Sequence, residues 1–264
     1  GDYAFASGYQ SIASGVASVA MGYETVANTS HATAMGIRST SSGFYSFSAG
    51  NNNTASGTSA ISMGDNNNVS SNYGVAMGRN NTVSQINATA LGYNNTASGN
   101  TSTALGYNTI ASGENATATG RYTTASGAYS TAMGHMTTAK SGFETVLGRW
   151  NTDYTPANLT GWASQDRLFV IGNGTGTAYT SNALTIYKDG RMNINDAYTM
   201  PTADGAANQF IMTNGAGALS WSSSSSSGLE KITEGSNSGW RFVGAVANNY
   251  GDIGANAVDL SYSS

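Results

Sequence analysis

The chain has no cysteine, two prolines and little charge, with Asp, Glu, Lys and Arg making up 9% of its 264 residues. Without cysteine there are no disulfides and no thiolate metal ligands. Sparse charge and a net value of −4 separate it from disordered polar chains, which carry high net charge. Ten basic residues with no cluster among them speak against nucleic acid as a partner. No apolar run reaches the roughly 18 residues of a candidate transmembrane helix, and no membrane contact is expected within this segment. The opening GDYAFASG has neither the basic start nor the apolar stretch of a signal peptide. It already lies inside a repeat, so the expectation is a piece of a longer protein.

What is abundant is glycine, and it keeps time. From Gly8 in steps of seven to Gly148, 17 of 21 positions are Gly; the exceptions are Thr29, Ser71, Gln85 and Ser141. Two residues earlier, 15 of 21 are Ala and the rest are Ser or Val. Such a period asks first for a repeat architecture. A coiled coil is excluded, since a glycine in every heptad costs about 1 kcal/mol relative to Ala. Thr and Val between the glycines favour strands. Each seven-residue unit therefore reads as a short strand ending in a glycine turn, with Asn after Gly tolerating the left-handed conformation.

The residue before Gly alternates. In steps of 14 it is Met21, Met35, Met63, Met77, Leu91, Leu105, Met133 and Leu147, with Ala49 and Thr119 between; on the other beat 8 of 10 are Ser. Two units thus make one rung of 14 residues. Side chains alternate along a strand, so the Ala row faces opposite to the Met/Leu and Ser rows. Placing small Ala between two closely packed sheets leaves Met/Leu outside on one sheet and Ser outside on the other. Met/Leu pointing inward, as in a self-sufficient monomer, is the competing arrangement. An outward stripe would run about 50 Å at 4.8 Å per rung. Each residue would gain roughly 1.5–3 kcal/mol on burial, and monomers rarely expose so large an apolar patch. We read these eight residues as an oligomer seam.

The units STALGYNTIASG and GVAMGRNNTVS resemble the head repeats of trimeric autotransporter adhesins, the YadA-like heads. The resemblance covers Ala4 to about Gly148. It implies a left-handed parallel β-roll, a homotrimer, an extracellular location on a cell surface or fibre, and adhesion to a host or prey surface protein or glycan. Similar repeats occur in phage tail fibres, so a fibre segment that binds a host receptor is the alternative.

The predicted fold is all-β: a parallel β-roll solenoid over residues 1–149, followed by small β-rich connectors. Residues 150–221 form the first connector. It opens on Trp150–Trp162 and continues through RLFVIG (167–172). A hairpin then turns at Asp189–Gly190. A stretch from Ala197 to Trp221 weakly resembles linker modules of bacterial and phage fibres. Residues 222–227 are a six-serine linker, and 228–264 a small module leading toward a further repeat.

For chemistry there is little. His31 and His135 stand far apart without a neighbouring acid or nucleophile, and read as solvated turn residues. Glu24, Asp65, Glu114 and Glu144 are scattered singly through the roll. Asp153, Asp166, Asp189, Asp196 and Asp204 sit among turn residues. No enzyme, cofactor or metal site is expected. Surface recognition is the remaining route. After Gly on the Met/Leu side stand Tyr23, Arg79, Tyr93, Tyr107, Arg121 and Arg149, an aromatic and arginine ladder of the kind favoured at binding surfaces. Equally, their stems can cover the edges of the seam. On the Ser side, Thr40, Thr54, Thr82, Thr96, Thr124 and Thr138 form a hydroxyl array. It is either a solvated strand face or an ice- or crystalline glycan-binding one.

Overall fold

A computed structural model describes residues 1–223, 228–234 and 237–243. Its first compact unit, Gly1–Tyr198, is built on the 14-residue rung. Each rung adds one strand to each of two parallel sheets, and the register steps by 14 throughout. Val75↔Thr89, Met77↔Leu91 and Gly78↔Gly92 are typical pairs in one sheet, and Thr82↔Thr96 in the other. The parallel solenoid read from the sequence is what the chain forms.

The two strands of a rung are unequal, which the seven-residue beat does not reveal. One has five residues, as in Val75–Arg79, and the other two, as in Thr82–Val83. The glycines differ to match. In the long strands, glycine lies inside the strand with φ between +98° and +133°. That region is open only to glycine and lets the strand run on past it. On the short-strand side Gly15, Gly43, Gly57, Gly99, Gly113 and Gly127 have no positive φ. All four substitutions of the glycine lattice, Thr29, Ser71, Gln85 and Ser141, fall on this side.

The turns lie elsewhere than expected. Every seventh residue from Tyr3 to Trp150 is left-handed, with φ from +41° to +63°, including Glu24, His31, Arg38, Tyr45 and Phe143. These corner residues stand two places after the lattice position. Bulky side chains are uncommon there, at a cost on the order of 1–3 kcal/mol each. Stacking holds them in place. Their amides donate to the preceding rung, as Arg38 N to Tyr23 O at 2.8 Å and Asn94 N to Arg79 O at 2.8 Å.

The Ala row is inside, fully buried from Ala20 to Ala139, with Val69, Val83 and Val146 in the same row. Small residues are required because two sheets of so tight a coil leave no space for more. A second interior column is polar: Asn53, Asn67, Asn81, Asn95 and Thr109 are fully or almost fully buried. Asn67 Nδ2 donates to Asn53 Oδ1 at 3.0 Å, Asn81 Nδ2 to Asn67 Oδ1 at 2.9 Å, and Thr109 Oγ1 to Asn95 Oδ1 at 2.7 Å. Each amide also reaches the carbonyl of a long-strand glycine, as Asn81 Nδ2 to Gly92 O at 2.9 Å. Buried amides are tolerated because the ladder satisfies them. Sequence reasoning took these runs as turns. In Asn66–Asn67–Asn68 only Asn66 is left-handed, while Asn67 points inward and Asn68 starts a short strand.

The register does not end at Gly148. Strand Arg167–Asn173 pairs in parallel with Thr145–Arg149, setting Leu147 against Ile171 and Gly148 against Gly172. Val170 is fully buried and continues the core. The step is 24 residues instead of 14, because residues 150–166 take the place of a short strand. Asn182–Tyr187 then adds antiparallel to this strand, and Met192–Ile194 adds antiparallel to Asn182–Tyr187. The connecting turn carries Gly190 at φ +88°.

The second unit begins at Thr199. Within it Gln209–Thr213 and Leu219–Ser223 form an antiparallel pair, so Ser222 and Ser223 are strand residues. Trp221 Nε1 donates to Ala203 O at 2.7 Å. Gly228–Glu234 pairs antiparallel with Asn237–Val243. Serines 224–227 and the stretch AVDLSYSS (257–264), read as leading to another repeat, lie outside the described residues.

Candidate assembly and adhesion surfaces

The outer face of the long-strand sheet carries the Met/Leu column. Met21, Met35, Met63, Met77 and Met133 are 36–43% exposed, and Leu91, Leu105 and Leu147 are half-buried. Pairing places Met63, Met77, Leu91 and Leu105 on four successive rungs. The inward arrangement of these residues is excluded, since the interior is filled by Ala and Val. At Ala49, where the column loses its large side chain, Phe47 lies two residues earlier on the same strand. Ile171, paired with Leu147 and 36% exposed, extends the stripe by one rung. The match of Val170–Ile171–Gly172 to the Ala–Leu–Gly unit was the signal for it, hidden by the longer step.

Sequence reasoning also missed an apolar edge. At the corner entering the long strands, Val16, Phe44, Tyr45, Tyr73, Ile86 and Phe143 are exposed. His31 stacks on Tyr45 and Tyr129 on Phe143, at 5.0 and 4.9 Å between ring centroids.

The structure brings together part of the expected ladder. Arg79 lies over the Tyr93 ring at 5.6 Å, Tyr93 stacks on Tyr107 at 5.0 Å, and Arg121 lies over Tyr107 at 5.5 Å. Arg79 also pairs with Asp65 at 3.2 Å. Tyr23 stands apart from this cluster, stacked on Tyr9 at 5.0 Å. Arg149 lies over Trp150 at 5.3 Å. His135, expected as a solvated turn residue, packs against Trp150 at 4.5 Å. Stacks and cation–π contacts hold the column in one arrangement on the surface.

Glu144, one of the acids scattered singly through the roll, is not a surface group. It is fully buried where lower rungs carry Ser, Ala or Gly. Its Oε2 accepts from Lys140 N at 2.7 Å, Ser141 N at 2.9 Å and Tyr154 Oη at 3.2 Å, while Oε1 has no partner. Burial pushes its carboxyl above the ordinary range, against the lowering effect of the Ser141 and Lys140 amides and the Arg167 charge. Arg167 lies over the Tyr154 ring at 4.2 Å, and Lys188 Nζ donates to Ser141 Oγ at 3.2 Å. Together these groups close the end of the roll. Because the folded-state pKa lies above the unfolded one, stability from Glu144 is complete below about pH 4.5 and is lost as pH rises through the folded value. The thermal midpoint is therefore expected to fall as pH rises from 4.5 toward neutrality. Glu144→Gln should flatten that slope and raise the midpoint near pH 7.5 by about 2–4 °C. A slope unchanged in the variant would show that other groups carry it.

Of the acids beyond the roll, Asp153 pairs with Lys140, while Asp166 and Asp196 accept backbone amides. Asp166 accepts from the Ala157 and Asn158 amides at 2.7 and 2.9 Å, and Asp196 from Asn182 N at 2.6 Å. Among the described residues no group of three or more His, Asp or Glu is placed to hold a metal, and no helix is long and apolar enough to cross a membrane.

The family model of the YadA head domain repeat (two copies) matches residues 1–25, 13–39, 41–67, 55–81, 84–109 and 111–135. The roll is a YadA head. None of the curated proteins compared with the chain matches it. The matches lie within residues 1–135 and include strands of both sheets; the last strands, Thr138–Ala139 and Thr145–Arg149, follow them. Heads of this family are segments of adhesin-like surface fibres, a class built on structural repeats.

Proposed function

We propose that the chain is a stiff segment of an extracellular surface fibre, a homotrimer packed through its Met/Leu seam that attaches to a host or prey surface. The observation carrying this reading is the outward column of exposed Met21, Met35, Met63, Met77 and Met133, with half-buried Leu91, Leu105 and Leu147 in the same row and Ile171 at its end. A regular solenoid needs no second chain to fill its interior, so an apolar column on its outside calls for a partner surface. A two-fold pair or a larger ring would also hide the column; three chains follow from kinship with trimeric heads. Light scattering on the purified chain should give the mass of three copies, and a monomer at micromolar concentration would overturn the seam.

Adhesion is assigned to Arg79, Tyr93, Tyr107 and Arg121, ordered and repeated along the fibre. Weak contacts repeated per rung and per chain gain by multivalency. Replacing Tyr93, Tyr107 and Arg121 together by Ser should lower attachment of fibre-coated beads to target cells by at least about tenfold, a change of roughly 1.4 kcal/mol. Attachment at the original level by the folded variant would remove the ladder from this role.

A further inference from the structure

A different part of the surface points to a ligand class. An open groove of about 370 Å³ runs along the corner between the long and short strands, lined by Asn94, Thr96, Asn108, Ile110, Tyr122 and Thr124. It lies between two columns: the left-handed corner residues Asn94, Asn108 and Tyr122, and the first residues of the short strands, Thr96, Ile110 and Thr124. The residues between them, Asn95, Thr109 and Thr123, are buried.

The corner column breaks its pattern here. Asn52 Nδ2 donates to Asn66 Oδ1 and Asn66 Nδ2 to Asn80 Oδ1, each at 2.8 Å, and Asn94 donates to Asn108 in the same sense. Next in the column stands Tyr122, whose phenol oxygen takes no hydrogen bond from the Asn108 amide. The Asn108 oxygen is taken by Asn94, and no protein acceptor for its nitrogen is found among the described residues. Its N–H donors are left facing the groove. The short-strand column changes on the same rungs, since Ile110 is exposed where its neighbours carry Thr. Tyr122 itself is fixed by an edge contact with Tyr107 at 5.4 Å and by Arg121 over its ring at 5.1 Å.

A fixed aromatic ring, an exposed aliphatic side chain, free amide donors and two hydroxyls thus line one groove, and none of the lining residues is charged. A pyranose offers the matching surface: an apolar C–H face for the ring and Ile110, and hydroxyls for amides and threonines. The groove spans three rungs, about 10 Å at 4.8 Å per step, the length of two sugar units. We propose that this groove binds a neutral oligosaccharide, with a hexopyranose against Tyr122 and its hydroxyls bonded to Asn108, Thr96 and Thr124. The proposal deepens the adhesive reading by naming a ligand class, and rests on that reading only for its biological setting.

Direct binding to the purified full chain separates the two. Cellohexaose, maltohexaose and N-acetylchitohexaose, titrated separately and followed by saturation-transfer NMR, should show saturable binding of at least one, with Kd on the order of 1 mM or tighter. Tyr122→Asn keeps the fold, since Asn80, Asn94 and Asn108 already occupy that corner at φ +52° to +57°. It should weaken binding at least tenfold, while Tyr122→Phe, which keeps the ring, should stay within threefold of the parent. Asn108→Gly should weaken binding several-fold. Saturable binding by none of the three sugars, or equal binding by the Tyr122→Asn chain, would overturn the groove while leaving the seam and ladder untouched.

Discussion

Met77→Asp combined with Leu91→Asp is expected to convert the assembled protein to single chains. Both positions lie on the outer face of the long-strand sheet, Met77 exposed and Leu91 half-buried, so the carboxylates stay in water in the isolated roll and its stacking should survive. In a seam they would be stripped of water and set against copies of themselves, which costs several kcal/mol per ion. The apolar gain of roughly 1.5–3 kcal/mol for each large residue would be lost as well. The measurement is light scattering beside far-ultraviolet circular dichroism. The expected result is the mass of one chain with the β signal retained. An unchanged mass would place the contact between copies elsewhere, with the exposed corner of Phe44, Tyr45, Tyr73 and Ile86 the next surface to alter.

The second large effect concerns glycine. Gly92→Ala should destabilise the roll by at least about 3 kcal/mol, combining backbone strain with a steric clash. Gly92 has φ +118°, and a Cβ there would lie 2.2 Å from the Gly106 carbonyl oxygen and 3.0 Å from Asn95 Nδ2. That carbonyl accepts the Asn95 amide at 2.8 Å, so moving it away breaks a bond of the buried ladder. Gly99 is tight as well, its Cβ position 1.9 Å from the Gly113 oxygen, but it needs no positive φ. The chain already carries Ser71 and Ser141 at equivalent places. Gly99→Ser should therefore cost clearly less than Gly92→Ala in paired thermal unfolding. Equal losses would show that close approach alone, and not backbone conformation, selects glycine on both sides.

Much of the architecture was legible because a solenoid writes its geometry into a period. Ala at two before Gly is small for a reason that every rung repeats, and Met/Leu against Ser on alternate beats separates two outer faces. The unequal strands were not legible. Gly92 and Gly99 look alike in the sequence, and only backbone conformation tells a glycine inside a strand from one at a bend. The exceptions Thr29, Ser71, Gln85 and Ser141 contained the clue, since all fall on one beat. The buried Asn column was obscured by its neighbours: in Asn80–Asn81, one residue turns a corner and the next fills the interior.

By itself the sequence determined the repeat, the parallel stacking and that the Ala row faces opposite to the Met/Leu and Ser rows, because identical neighbours every 14 residues leave one register that satisfies them all. Which row points inward was decided by the packing, where Ala fills the interior. Only the tertiary structure decided what non-periodic residues do. Glu144 reads as one more single acid of the roll until the end of the roll closes over it. Ile171 joins the Met/Leu stripe across a 24-residue step that no fixed period detects. Tyr122 faces a groove because the residues around it come from three rungs, brought together by stacking and not by nearness in the chain.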